Sequence, residues 1–300
     1  IYFWDLNRTG AEPNVLAGHA PAVFSLAFSS DGKWLASGSG DQTARIWRVA
    51  GPTVNAETIL PHGSVVGTLS FDQSGKLLAT GDWSSTVRVW SVPDGTLVRK
   101  EKLGDSNNSV KKVLITPDGR WLVSCAGNTV WIHALDKGGE AHILRGHSDL
   151  VTLLAVDEAS QWLASGSWDG TVRLWTFANL GLEEYVLGGH VTGISDIAFS
   201  PDGTRLATTE GNAEVLLWHV TSPEAPPVRL RTPEPVAAVA FGPESQKVFA
   251  ITEKGGVMIW DLDVENLVDL GCRLAGGALS DEEWKQFLID QPYRPRCLAE

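Results

Sequence analysis

Four stretches of this chain are one sentence with small edits: KWLASGSGDQTARIW (residues 33–47), KLLATGDWSSTVRVW (76–90), QWLASGSWDGTVRLW (161–175) and TRLATTEGNAEVLLW (204–218). Each opens on a short apolar strand, crosses a polar loop, and closes on a β-branched alternation ending in tryptophan, the pattern of two neighbouring half-buried strands. Working outward, Trp4 in IYFWDL and Trp260 in GGVMIWDL occupy the same closing slot. The row RWLVSCAGNTVWIHAL (120–135) aligns on Thr129-Val130, which puts His133 in that slot and Trp131 in the preceding arginine slot. The anchors Trp4, Trp47, Trp90, His133, Trp175, Trp218 and Trp260 are then spaced by 43, 43, 43, 42, 43 and 42 residues. Such a period, built of short alternating strands, predicts a four-stranded antiparallel unit repeated around an axis.

The remaining strands of each unit follow from the same alignment. The first reads AVFSLAF (22–28), VVGTLSF (65–71), SVKKVLI (109–115), LVTLLAV (150–156), GISDIAF (193–199) and VAAVAF (236–241). Asp-Gly turns such as Asp31-Gly32, Asp118-Gly119 and Asp202-Gly203 lead into the second strand, glycine supplying the positive φ. A short fourth strand is exemplified by EYVLGGH (184–190). The elements LAGH (16–19), LRGH (144–147) and LGGH (187–190), with Trp-Asp pairs at Trp4-Asp5 and Trp260-Asp261, resemble the WD40 repeat family over about residues 1–270. The resemblance implies an all-β, seven-bladed WD40 β-propeller over 1–270, its first blade incomplete, followed by a short C-terminal α-helical tail over 271–300. The repeat pattern begins at a third strand, so two further strands upstream are expected to complete the seventh blade.

Ser, His and Asp recur at fixed offsets, a combination that suggests a hydrolase at first sight. His19, Ser37, Asp41 and Trp47 form one set, and His147, Ser165, Asp169 and Trp175 another, both with offsets of 18, 4 and 6. Weakened versions are His62, Thr80, Ser84 and Trp90, and His190, Thr208, Asn212 and Trp218; Thr232, Ala250, Lys254 and Trp260 mark a unit in which the set is lost. A catalytic constellation occurs once per site, whereas this one recurs unit by unit. The family resemblance implies its role, a structural hydrogen-bond chain from indole through hydroxyl and imidazole to carboxylate. No nucleophile elbow, phosphate loop or metalloprotease motif accompanies it, so no catalytic, cofactor-binding or metal-ligating residue is expected.

Bulk properties narrow the partners. The formal net charge of −12 disfavours nucleic acid and anionic membrane surfaces. No apolar run reaches a bilayer-spanning length, roughly 20 residues. Three cysteines, Cys125, Cys272 and Cys297, are too few for a disulfide scaffold and too scattered for a zinc site, which points to a reducing, cytoplasmic location. A protein or peptide partner, or another domain of a parent chain, is the expected ligand.

Two sets of positions belong, by the resemblance, to the binding face of such a disc. One precedes the network carboxylate (Gly40, Trp83, Trp168, Gly211), and the other lies at the start of the inner strand (Phe24, Gly67, Lys111, Thr152, Ser195, Ala237). The candidate face is Phe24, Trp83, Lys111, Thr152, Trp168 and Ser195. Trp83 and Trp168 stand in polar loops with little local core to bury them. With Lys111 between them they are expected to form one patch over the short loop SCAGN (124–128). Trp34, Trp121 and Trp162 open second strands on the opposite face and are read as packing residues.

The tail carries a capping box, Ser280 with Glu283, and an apolar stripe of Trp284, Phe287 and Leu288, ended by Pro292. Cys272, Leu274, Ala275, Leu279, Glu283, Trp284, Pro292, Tyr293 and Cys297 resemble the tail of propeller sensors in bacterial STAND-type NTPases, with Gly277 departing from that pattern. The resemblance implies a sensor module of a larger signalling or defence protein; the alternative is a constitutive scaffold propeller.

Overall fold

The alternation in the repeats becomes a row of antiparallel meanders. In the computed structural model, which describes residues 1–4, 12–20, 22–50, 53–104, 108–136, 139–180 and 184–262, all regular secondary structure is β-strand. The first sheet joins Val23–Phe28, Trp34–Ser39, Thr43–Ala50 and Thr53–Pro61, each strand paired to the next in sequence. The second joins Val66–Phe71, Leu77–Asp82, Thr86–Ser91 and Leu97–Lys102; the third, Val110–Ile115, Trp121–Ala126, Thr129–Ala134 and His142–Leu144. The fourth is Val151–Val156, Trp162–Ser167, Val172–Thr176 and Glu184–Leu187, and the fifth Asp196–Phe199, Arg205–Thr209, Glu214–His219 and Val228–Arg231. A sixth has three strands, Val236–Phe241, Lys247–Thr252 and Val257–Asp261, and Tyr2–Phe3 pairs with Asn14–Val15 in a two-stranded sheet. Repeated four-stranded antiparallel sheets fit the expected propeller. The tail, with its expected helix and with Cys272 and Cys297, lies outside the described residues.

The strand register reproduces the sequence alignment. His133 faces Leu122 as Trp47 faces Leu35 and Trp175 faces Leu163, so a histidine occupies the anchor slot of the third sheet. The Asp-Gly turns adopt the expected left-handed glycine, with φ of 68°, 70° and 68° at Gly32, Gly119 and Gly203.

The core lies between sheets. Ala36, Ala44 and Ile46 of the first sheet pack on Val66, Leu69, Leu78 and Trp90 of the second. The fourth and fifth meet through Val172, Leu174, Ile197, Leu206 and Trp218. Second and third strands are therefore buried on both faces, which is why they read as near-continuous apolar and small residues. The glycine of the recurrent Ser/Thr-Gly step has a packing cause. A Cβ on Gly38 would stand 2.9 Å from the Val66 carbonyl oxygen, and one on Gly81 2.6 Å from a Val110 methyl. The next sheet's inner strand is seated against the bare backbone there.

Among the described residues, apolar side chains are exposed on two sheet faces. Phe24, Leu26 and Phe28 are exposed on the face of the first sheet whose outer part, Leu35 and Trp47, is covered by Leu16 and Ile1. On the sixth sheet Ile251, Val257 and Ile259 are exposed side by side across two strands.

Candidate functional site

The repeated Ser-His-Asp sets assemble as the hydrogen-bond chains expected. In the first sheet Trp47 Nε1 donates to Ser37 Oγ (2.7 Å), Ser37 Oγ donates to His19 Nε2 (2.7 Å), and His19 Nδ1 donates to Asp41 Oδ2 (2.7 Å). The fourth sheet repeats this through Trp175, Ser165, His147 and Asp169 at 3.0, 2.9 and 2.9 Å. Burial opposes ionisation of Asp41, but hydrogen bonds from Thr43 and His19 outweigh it and hold the carboxyl at about 2. Asp169 is held at about 2 likewise, burial being outweighed by Thr171, Ser148 and His147. Ser37 and Ser165 are fully buried, and each hydroxyl accepts from an indole while facing an imidazole. Neither is placed to attack a substrate.

The weakened sets depart from the sequence reading in an informative way. Trp90–Thr80–His62 and Trp218–Thr208–His190 keep the first two links. The carboxylate has moved two residues upstream, to Asp82 and Glu210, where the complete sets have Ser39 and Ser167. Asp82 turns to Arg88 (2.6 Å), and His62 Nδ1 instead donates to the Leu60 carbonyl (3.0 Å). Burial then lowers His62 to about 4. Glu210 accepts from the backbone nitrogens of Val191 and Thr192 and from Asn212 Nδ2, so Asn212 supports the carboxylate rather than the imidazole. The clue was present in the sequence as an acid in a serine column. In the sixth sheet an ion pair, Lys254 to Glu234 at 3.1 Å, occupies the loop where the set is lost. In the third, His133 is buried and burial lowers its pKa; among the described residues neither its Nδ1 nor Ser124 Oγ has a hydrogen-bond partner.

The loops before the third strands and the starts of the inner strands share one edge of the sheets. Trp83 N donates to Val65 O and Trp168 N to Leu150 O, both at 2.9 Å. At that edge the inner strands carry β-bulges, the register shifting between Val23 and Ser25, Val66 and Thr68, Val110 and Lys112, and Val151 and Leu153. Phe24, Gly67, Lys111 and Thr152 are therefore the residues left out of the ladder. Repeat spacing could not show this, because a bulge preserves the apolar rhythm on either side.

The candidate positions fall into two groups. Phe24 and Trp83 meet with ring centroids 5.3 Å apart, and the Trp83 indole lies over Gly67, where a Cβ would stand 2.7 Å from Nε1. Trp168 borders a hollow of about 450 Å³ with Asp149, Thr192, Gly193, Ile194 and Ser195. Trp83 is 47 % exposed and Trp168 58 %. Trp83 thus leans on the sheet before its own and Trp168 on the sheet after, so neither group includes Lys111 or Thr152. On the opposite edge Trp121 stacks on Phe177 (6.3 Å) and Trp162 lies against Tyr185 (6.2 Å), both half-buried. Among the described residues no group of three His, Cys, Asp or Glu side chains could hold a metal ion.

The family description "WD domain, G-beta repeat" matches residues 10–48, 55–91, 96–133, 138–176 and 181–219, well over half of the chain. WD repeat-containing protein 90 of Homo sapiens is 30 % identical over 175 residues, 55 % of this chain and 10 % of that protein. U3 small nucleolar RNA-associated protein 15 homolog of Xenopus laevis is 28 % identical over 217 residues, 72 % of this chain and 41 % of that protein. Target of rapamycin complex subunit wat1 of Schizosaccharomyces pombe is 28 % identical over 158 residues, 52 % of this chain and 50 % of that protein. The chain thus spans half or less of these relatives.

Proposed function

We propose, because the chain belongs to the WD40 repeat family, that it is a protein-interaction platform whose partner docks on the edge carrying Phe24, Trp83 and Trp168. The observation that carries this reading is the pair of large indoles, each about half exposed and each lying against a glycine, Gly67 in an inner strand and Gly193 just ahead of one. Rigid, exposed aromatics bury much area at low entropic cost and dominate interface energetics.

Two readings of the platform differ in what it serves. In the scaffold reading it holds a constitutive complex together, as the name of the fission yeast relative, a complex subunit, suggests for that protein. In the sensor reading it is the ligand-sensing module of a larger bacterial STAND-type NTPase, and the sequence from Cys272 to Cys297 is what favours it. Both are set in a reducing cytoplasm. An upstream phosphate-binding loop in the parent gene would decide for the sensor, and its absence for the scaffold. The platform itself is tested by partner capture with wild type and a Trp83→Ala/Trp168→Ala variant. Capture is expected to be lost at an unchanged melting temperature; equal capture by a folded variant places the partner elsewhere.

A further inference from the structure

We infer that the hollow beside Trp168 is a socket for a cationic side chain, the guanidinium or ammonium group of a basic segment in a partner protein. The inference rests on the platform reading and specifies the chemistry of one half of it.

The two aromatic groups of the edge are different in kind. Trp83 has its ring against Phe24 and its Nε1 edge over Gly67, so it offers an apolar surface continued by a second aromatic. Trp168 is among no ring pairs of the described residues, and its indole, 58 % exposed, borders a hollow whose one charged lining residue is Asp149. Asp149 is held rather than loose: its Oδ1 accepts from Leu150 N at 2.7 Å, and Ser167 Oγ donates to its backbone carbonyl at 3.1 Å. That leaves Oδ2 without a hydrogen bond among the described residues.

Two further carboxylates stand behind the walls. Asp169 accepts from Ser148 N (2.9 Å), next to Asp149, and Glu210 accepts from Thr192 N (2.6 Å), itself a lining residue. Both are already engaged by the fold, and among the described residues neither has an ion pair with a lysine or arginine. Their field adds to that of Asp149, against that of Arg173 and Arg229, which act on the neighbouring imidazoles of His147 and His190. A fixed indole face, a fixed carboxylate and a locally negative field are the elements that bind a cation through combined ring and charge attraction. The formal charge of −12 steers basic partners toward the chain as a whole, but the indole beside Asp149 gives the attraction a place. A volume of about 450 Å³ admits one long side chain, not a folded element.

The test uses the indole N–H resonances of the ¹⁵N-labelled chain, titrated with N-acetyl-arginine amide and, as the uncharged isostere, N-acetyl-citrulline amide. The Trp168 resonance, identified by its loss in Trp168→Phe, is expected to shift saturably with the arginine compound only. Raising salt to 0.5 M should weaken the effect. Asp149→Asn should weaken it by roughly five-fold, the effect of one unit charge at about 4 Å in water. Equal shifts with citrulline amide, or an Asp149→Asn titration like wild type, overturn the socket. If the arginine compound fails while the Trp83→Ala/Trp168→Ala variant loses partner capture, the cation assignment is wrong and the platform stands. If that variant captures its partner normally, the platform reading itself fails.

Discussion

Replacing Glu210 should destabilise the fifth sheet far more than replacing Asn212, although Asn212 occupies the slot that holds the network carboxylate in the complete sets. The Glu210 carboxylate, 9 % exposed, accepts from Val191 N, Thr192 N (2.6 Å) and Thr192 Oγ1 (3.3 Å). In Glu210→Ala these donors lose a charged acceptor together. A stranded buried donor costs about 1–3 kcal/mol. Val191 and Thr192 are both exposed, so water recovers much of their share, and the three donors together come to the low end of that range, about 3 kcal/mol. Asn212→Ala forfeits one bond from Glu214 N (2.9 Å) and one donor to Glu210, about 1 kcal/mol. For a chain of this size that separates the melting temperatures by roughly 4–8 °C, at about 2–4 °C per kcal/mol. Glu210→Gln keeps an acceptor and should recover more than half of the loss. Urea unfolding followed by tryptophan fluorescence gives the free energies directly. Should Asn212→Ala prove as costly as Glu210→Ala, the displaced carboxylate is incidental and the network has been misread.

The complete sets make a parallel case: Trp175→Phe or Asp169→Ala should each cost about 1–3 kcal/mol. Lys254→Ala, which removes only a solvent-exposed ion pair, should stay within about 0.5 kcal/mol in the same melts. Acid should weaken the fold in two stages. His62, lowered by burial to about 4 from an unfolded value of 6.5, resists protonation in the folded state, so stability falls as pH drops from 6.5 toward 4. Asp41 and Asp169, held at about 2 against an unfolded 3.8, contribute stability that is complete above 3.8 and vanishes as pH falls through 2. A melting temperature flat between pH 7 and 4.5 would contradict the first stage. Cys125 is wholly buried, and burial pushes its thiol up to about 12. It should resist alkylation in the native chain and react only after denaturation, as peptide mapping by mass spectrometry would show.

The features legible before any coordinates were those carried by the backbone rhythm. The 42- to 43-residue spacing located the strands, and the alignment that put His133 in a tryptophan slot predicted the Leu122–His133 register. The two complete Trp–Ser–His–Asp chains were visible for the same reason, since identical offsets on identical strands give identical geometry. The bulges at Phe24, Gly67, Lys111 and Thr152 were not visible, because one unpaired residue leaves the apolar pattern intact on either side.

The sequence by itself determined which residues stand at equivalent places in successive sheets, because strand alternation and turn chemistry are local. It placed Trp83 and Trp168 in one column and implied one shared patch. Only the tertiary structure decided where each side chain goes, and it sent them apart, Trp83 onto Phe24 of the preceding sheet and Trp168 over Gly193 of the following one. The same is true of Glu210, whose partners lie 18 and 19 residues back along the chain. Side-chain direction is settled by whichever neighbour offers space and hydrogen bonds, and those neighbours, some in other repeats and some in distant parts of the same one, differ from repeat to repeat while the backbones do not.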